Sequence, residues 1–174
     1  MRSRSFALAG LVALVGWCSR AADPVDYKLF ASGEGRYKVL FPGGVKTETK
    51  NVKTPAGERK LTFDSVQLSE AVFFMVTYID VPDDVAKQPP GPRLDKVRDG
   101  NKGAEGKLLA DAVVAVGADK LPGRDLLIEK PTAVVRTRVV IAGSRLYQVM
   151  IQGPKEFVTA KDADRFFDSF EVTK

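Results

Sequence analysis

The sequence predicts an α+β fold, a mostly antiparallel sheet with helices packed on it. Three observations carry that expectation. Strand-like segments with alternating or continuous apolar residues fill both halves of the chain, a helical pattern separates the halves, and a second closes the chain. With 174 residues, 44% of them apolar and 28% charged, one globular domain with a sizeable core is expected.

The elements follow in order. Tyr37, Val39 and Phe41 alternate with Lys38 and Leu40 and stop at Pro42-Gly43-Gly44, a strand ended by a turn. Val45 to Lys53 alternates Lys46, Glu48 and Lys50 with Thr47, Thr49 and Asn51, which predicts a polar strand at a sheet edge. Pro55-Ala56-Gly57 is a second turn and leads into a strand over Lys60 to Leu68. Ala71 to Ile79 is apolar on both faces, which predicts a central strand covered on both sides. Two stretches, Val81 to Pro92 with its prolines and Val116 to Arg124 with Leu121-Pro122-Gly123, read as turns or crossovers inside the domain.

Leu94, Val97 and Ala104 predict a helix between Arg93 and Gly106, weakened by Gly100 and Gly103. Leu108 to Val116 and Asp125 to Glu129 are strand-like. Val134 to Ile141 and Arg145 to Ile151 are strands joined by Gly143-Ser144, a pair suited to a two-residue hairpin that places Val140 opposite Tyr147. Thr159-Ala160-Lys161-Asp162 resembles a capping box with Asp in place of Glu or Gln. Ala163, Phe166, Phe167 and Phe170 then form one apolar helical stripe facing a sheet.

The first residues have a different purpose. A basic start at Arg2 and Arg4, an apolar run from Phe6 to Cys18 and small residues before a cleavage point after Ala21 describe a secretory signal peptide. Its 13-residue apolar run would rise only about 20 Å as a helix, short of the roughly 30 Å of a bilayer core. Residues 1–21 are thus read as a signal and 22–174 as a single globular domain, exported to a periplasmic or extracellular space, with no integral membrane span after cleavage. Cys18 sits where a lipid-modified cysteine would, but Trp17 stands where a lipobox takes Gly, Ala or Ser. Cleavage removes Arg2, Arg4 and Arg20, so the net charge of +5 falls to +2. A nearly neutral exported domain gives no support to a nucleic-acid partner. The only Cys leaves with the signal, so the domain forms no disulfide within itself.

The chain has no His. That excludes Ser-His-Asp and Cys-His chemistry, an HExxH zinc site and an imidazole pH switch. GxSxG and SxxK patterns are also missing. Gly100 to Leu108 imitates a phosphate loop but has the wrong glycine spacing, and Leu108 follows Lys107 where Ser or Thr is needed. Asp162, Asp164 and Asp168 lack the Gly and Glu of a calcium loop and are the acidic start expected of a helix. No catalytic residue, metal ligand or cofactor is singled out. The enzymatic alternative is a His-free hydrolase or carbohydrate-active enzyme using paired carboxylates.

Two clusters are candidates for binding. Arg136 and Arg138 share a strand face near Tyr147 and could hold an anionic ligand, provided neighbouring carboxylates do not cap them. Residues 36–60 are locally basic, and Lys46, Lys50, Lys53 and Lys60 form a hairpin that could face an acidic envelope protein or a lipid surface. The competing reading of those lysines is a solvated edge kept from pairing.

Several segments taken together resemble a known family: Gly35-Arg-Tyr-Lys-Val-Leu-Phe-Pro42, Thr54-Pro-Ala-Gly57, Leu121-Pro-Gly-Arg-Asp-Leu126, Arg145-Leu-Tyr-Gln-Val149 and Arg165-Phe-Phe-Asp-Ser-Phe170. They resemble small exported bacterial proteins of the PsbP-like superfamily, whose fold is shared by an extrinsic photosystem II subunit and a Ran-binding import factor. The resemblance covers most of residues 27–173 and implies an α/β/α sandwich with a central antiparallel sheet flanked by helices. It brings no catalytic motif. Members with known roles tend to bind or stabilise other proteins, which implies a non-enzymatic binding or accessory module without a cofactor.

Overall fold

The computed structural model describes residues 25–54 and 57–174. The expected signal peptide, with Trp17 and Cys18, and the Pro55-Ala56 part of the second turn lie outside them. Along the chain come β1 (Lys28–Ser32), β2 (Tyr37–Phe41), β3 (Lys46–Thr54), β4 (Gly57–Gln67), β5 (Phe73–Asp80), α1 (Asp83–Ala86) and α2 (Pro90–Lys102). The second half holds β6 (Lys107–Val116), β7 (Leu121–Glu129), β8 (Val134–Ala142), β9 (Arg145–Gly153), α3 (Lys155–Val158), α4 (Lys161–Asp168) and β10 (Glu171–Val172).

The main sheet has seven antiparallel strands in the order β3-β4-β5-β9-β8-β7-β6, and a small sheet has the order β1-β2-β10. One face of the main sheet, here the inner face, packs against the small sheet, α3 and α4. The other, the outer face, carries α2 at its β7–β8 end. This is the α+β sandwich expected, with the polar strand β3 at an edge.

Side-chain alternation sorts the two faces. On β5 the inner residues Phe74, Val76 and Tyr78 are buried, whereas Phe73, Met75 and Ile79 on the outer side are half-buried. Ala71–Ile79 therefore departs from expectation. The strand starts at Phe73 and is interior, but only its inner face is fully packed. The stretch Val116 to Arg124 also differs, because β7 begins at Leu121 and includes Pro122. Pro122 pairs only with Ala115 of β6, and pairing to β8 starts at Gly123, so its missing N–H interrupts no ladder between two neighbours. The hairpin between β8 and β9 turns through Gly143 and Ser144 as expected, with Gly143 at φ +61° and Val140 opposite Tyr147.

The terminal stripe packs as its spacing predicts: Ala163, Phe166, Phe167 and Phe170 are all buried. Its start is different. Thr159 does not cap α4; its hydroxyl donates back to the Lys155 carbonyl at 2.8 Å and closes α3, and Ala160 occupies the cap position. Phe166 sits between Phe41 (5.2 Å between ring centroids) and Phe74 (5.1 Å), joining α4 to both sheets.

Tyr37 of β2 is fully buried, with Tyr147, Tyr78 and Phe170 around its ring at 6.0, 6.3 and 5.5 Å. Its hydroxyl donates to Asp64 at 2.5 Å, and Thr47 donates to the other Asp64 oxygen at 2.5 Å. The β1–β2 turn is fixed from the main sheet. Tyr147 donates to the Gly35 carbonyl at 2.8 Å, and Arg145 donates to the Glu34 carbonyl at 2.7 Å while gripping Asp80 at 2.6 and 2.7 Å. Gly35 has no room for a side chain, since a Cβ there would lie 2.6 Å from the Tyr37 ring.

Two outcomes follow from this core. Tyr37→Phe leaves the buried Asp64 oxygen without its donor and should cost about 1–3 kcal/mol in urea unfolding. Burial pushes the phenols of Tyr37, Tyr147 and Tyr27 above their ordinary value, with the Asp64 hydrogen bond adding to the effect at Tyr37 and Tyr27 raised to about 12. Folding holds protons on these groups, so their contribution is complete below an unfolded phenol value of about 10. It is lost as pH rises from there through the raised folded values. Thermal melts across the alkaline range should show this loss, smaller in Tyr37→Phe, with phenolate absorbance appearing alongside unfolding.

Candidate binding face

The outer face is covered over only half its width. Leu94 of α2 packs on Leu126, Ile128, Val139 and Ile141, with Val97, Leu108 and Leu146 around them. Beyond Leu146, no helix among the described residues lies over β9, β5 and β4. Strand alternation there brings Leu61 and Phe63 of β4 beside Phe73, Met75 and Ile79 of β5, all half-buried. These residues line two adjoining depressions of about 730 and 170 Å³ that share Phe63 and Met75.

The rim on the β3 side is charged. Lys46, Glu48 and Lys50 project from β3 on the outer side, register partners of Ser65, Phe63 and Leu61. Glu48 bridges the two lysines, at 2.5 Å from Lys46 and 3.7 Å from Lys50. The Lys50 ammonium also stands 5.5 Å from the centre of the Phe63 ring. The hydrogen bond between Lys46 and Glu48 raises the lysine pKa and lowers that of the carboxyl, so both are charged at neutral pH. An apolar floor beside a rim of net positive charge suits apolar side chains flanked by carboxylates.

The four hairpin lysines do not act together. Lys46 and Lys50 belong to the outer face, whereas Lys53 and Lys60 alternate to the inner side. Lys60 binds Glu34 at 2.7 Å and ties the hairpin to the β1–β2 turn. Beyond Thr62, β4 has no β5 partner, so the far end of the hairpin extends as a two-stranded ribbon.

Arg136 and Arg138 lie under α4 and bind it to the sheet. Arg138 holds Asp125 through two bonds of 2.7 and 2.9 Å, donates to the Phe167 carbonyl at 2.9 Å and reaches Asp168 at 3.4 Å. Arg136 pairs with Asp164 at 2.8 Å and stacks on the Phe167 ring at 4.5 Å. Tyr147 is buried apart from them in the tyrosine cluster. Both guanidinium groups are thus capped by carboxylates, the condition under which they cease to be an anion site. Asp164 and Asp168 are held in the same pairs, and Asp162 pairs with Arg165 at 3.5 Å.

Where a carboxyl pKa is displaced, at Glu48, Asp80, Asp99 and Asp111, the direction is downward, each because a Lys or Arg donates to it. A general acid needs the opposite displacement. No group of three or more His, Cys, Asp or Glu among the described residues is placed to hold a metal.

Sequence reasoning missed Phe63, Phe73 and Met75 as a surface. For Phe73 and Met75 the signal is the two-sided apolar character of Ala71–Ile79, which by itself predicts a second covering layer. If the arginines are structural, Arg138→Met should lower stability by about 2 kcal/mol in urea unfolding through loss of its charged hydrogen bonds.

No family model and no curated protein matches the chain. Among solved structures, the chain aligns with cyanobacterial PsbP (CyanoP) from Synechocystis sp. PCC 6803 at a TM-score of 0.54 and 14% identity, covering 91% of this chain and 98% of that one. A protein of unknown function from Pseudomonas aeruginosa aligns at a TM-score of 0.35 and 11% identity, over 76% of this chain and 85% of its own. That second score is too low to bear on architecture. The first is a likeness of fold, and with the seven- and three-stranded antiparallel sheets and their flanking helices it makes this chain's architecture PsbP-like.

Proposed function

We propose that the chain is an exported cell-envelope protein acting as a non-enzymatic binding or accessory module, and that it works through the uncovered half of its outer sheet face. The observation that carries the reading is the apolar floor of Phe63, Phe73 and Met75 beside the rim of Lys46, Glu48 and Lys50. These floor residues stand on β4 and β5, which are paired on both sides in their shared region and therefore rigid. A contiguous apolar surface rimmed by polar groups is a usual mark of an interaction site. Its chemistry fits a partner protein segment with a row of apolar side chains and carboxylates placed to meet the lysines. The signal-peptide pattern of residues 1–21 supports export, and the PsbP-like resemblance supports a role in binding.

Affinity capture from an envelope fraction tests the reading when done with paired variants. The wild-type protein should retain a specific envelope protein, and Met75→Glu should reduce its retention roughly tenfold or more by placing a charge in the apolar floor. Met75→Gln, close to Met in shape, should weaken it as well. Both variants should keep a folded circular-dichroism spectrum. Equal retention by all three, or retention of nothing, defeats the proposal, as does binding to anionic vesicles in place of protein. N-terminal sequencing of the protein recovered from cells should begin at Ala22; a start at Met1 defeats the export part.

A further inference from the structure

The two outer edges of the main sheet are built differently. β3 presents Lys46, Lys50 and Lys53 and runs on into the projecting ribbon, features that discourage another strand from adding there. β6, at the opposite edge, has no projecting ribbon and a single lysine, Lys107 at its start. After an irregularity between Leu108 and Ala110, its run from Ala110 to Val116 pairs without a break to β7, from Leu127 back to Leu121. That run, Ala-Asp-Ala-Val-Val-Ala-Val, contains one charged residue, Asp111, and Arg124 of β7 already holds it at 2.5 and 2.9 Å. Val113 is 81% exposed, more than the other large exposed apolar side chains among the described residues, Leu29 and Leu68. An outermost strand leaves a row of backbone N–H and C=O groups without ladder partners, and what satisfies such a row is another strand.

We infer that β6 pairs antiparallel with β6 of a second copy of this chain, joining two main sheets across a two-fold axis. The register is constrained. Strand alternation requires outer-face residues to meet outer-face residues, so the axis must pass at a residue opposed to its own copy. Centring on Asp111 would set two carboxylates against each other. Centring on Val113 uses the whole regular run: Val113 meets Val113, Ala112 meets Val114, Asp111 meets Ala115 and Ala110 meets Val116. Every pair is then apolar or joins Asp111 to an alanine, and the most exposed of the large apolar side chains is covered. Because β3 resists the alternative β6-to-β3 contact, the assembly closes as a dimer and does not grow into a filament. This contact lies at the edge opposite the Phe63–Met75 floor and is independent of the proposed partner site.

Sedimentation equilibrium of the purified protein tests it. The wild type should be dimeric, and Val113→Lys should raise the dimer dissociation constant roughly tenfold or more by setting two ammonium groups against each other on the axis. Its melting temperature, measured where the wild type is diluted to monomer, should be unchanged, since Val113 touches no core. The register has its own test. In a Cys18→Ser background, Val113→Cys should oxidise to a disulfide-linked dimer, because opposed residues of an antiparallel pair lie about 4.5–5.5 Å apart between Cα atoms. Leu29→Cys, also exposed but on β1, should not. A wild type that stays monomeric at all concentrations, a dimer indifferent to Val113→Lys, or equal oxidation of both cysteine variants overturns the inference, as does a β6 edge that takes only the strand of a different protein.

Discussion

The packing of Tyr37 is the contact on which the rest of the molecule depends. Its ring lies where the small sheet meets the main one, among Tyr78, Tyr147 and Phe170, and its hydroxyl reaches a carboxylate buried in the main sheet. With the chain's one Cys at position 18, residues 22–174 have no covalent cross-link within the domain. Cohesion rests on burial and on a few buried polar bonds whose partners must all be present. Remove the phenol and Asp64 loses a donor; fill Gly35 and the ring cannot sit. The aromatic layer continues through Phe41, Phe166 and Phe74, so the same packing that seats β2 also seats α4.

The small sheet, α3 and α4 pack against the inner face, and this shifts attention to the outer one. Along that face α2 covers β7 and β8, while β4 and β5 keep an apolar surface with no helix of the described residues over it. The arginines of β8, the most chemically suggestive pair in the sequence, hold α4 in place. Among the described residues the sheet leaves open an apolar floor on β4 and β5 at one side and the edge of β6 at the other.

Much of this was legible in the sequence, for definable physical reasons. Period-two alternation located β2, β3, β8 and β9, and the charges of β3 marked it as an edge. The stripe from Ala163 to Phe170 located the terminal helix because its spacing has no other use. The failures are equally specific. Alternation cannot tell whether an apolar face is covered or open, which is why the sequence predicts over Phe73, Met75 and Ile79 a second layer that the described residues do not supply. Pro122 argued against a strand, and only pairing on a single side at that position reconciles it with β7. Thr159 fitted the rule for a helix start but closes the preceding turn of helix. Arg136 and Arg138 could be placed on one face from sequence, but their partners Asp125, Asp164 and Asp168 come from other elements. β1 and β10 are short, and what makes them strands is β2 between them.

That last arrangement bears on how the molecule forms. β2 is among the first strands of the chain, yet Glu171 and Val172 complete its sheet by pairing with Lys38 and Tyr37, and its turn is fastened by Arg145 and Tyr147, more than a hundred residues away. The keystone of the core is laid early and locked last. A growing chain holds Tyr37 and Phe41 without their native partners until its final residues arrive, so folding is dominated by contacts of long sequence separation and is correspondingly slow. The first half of the chain therefore cannot close this core alone: the seating of β2 waits on residues 145–172.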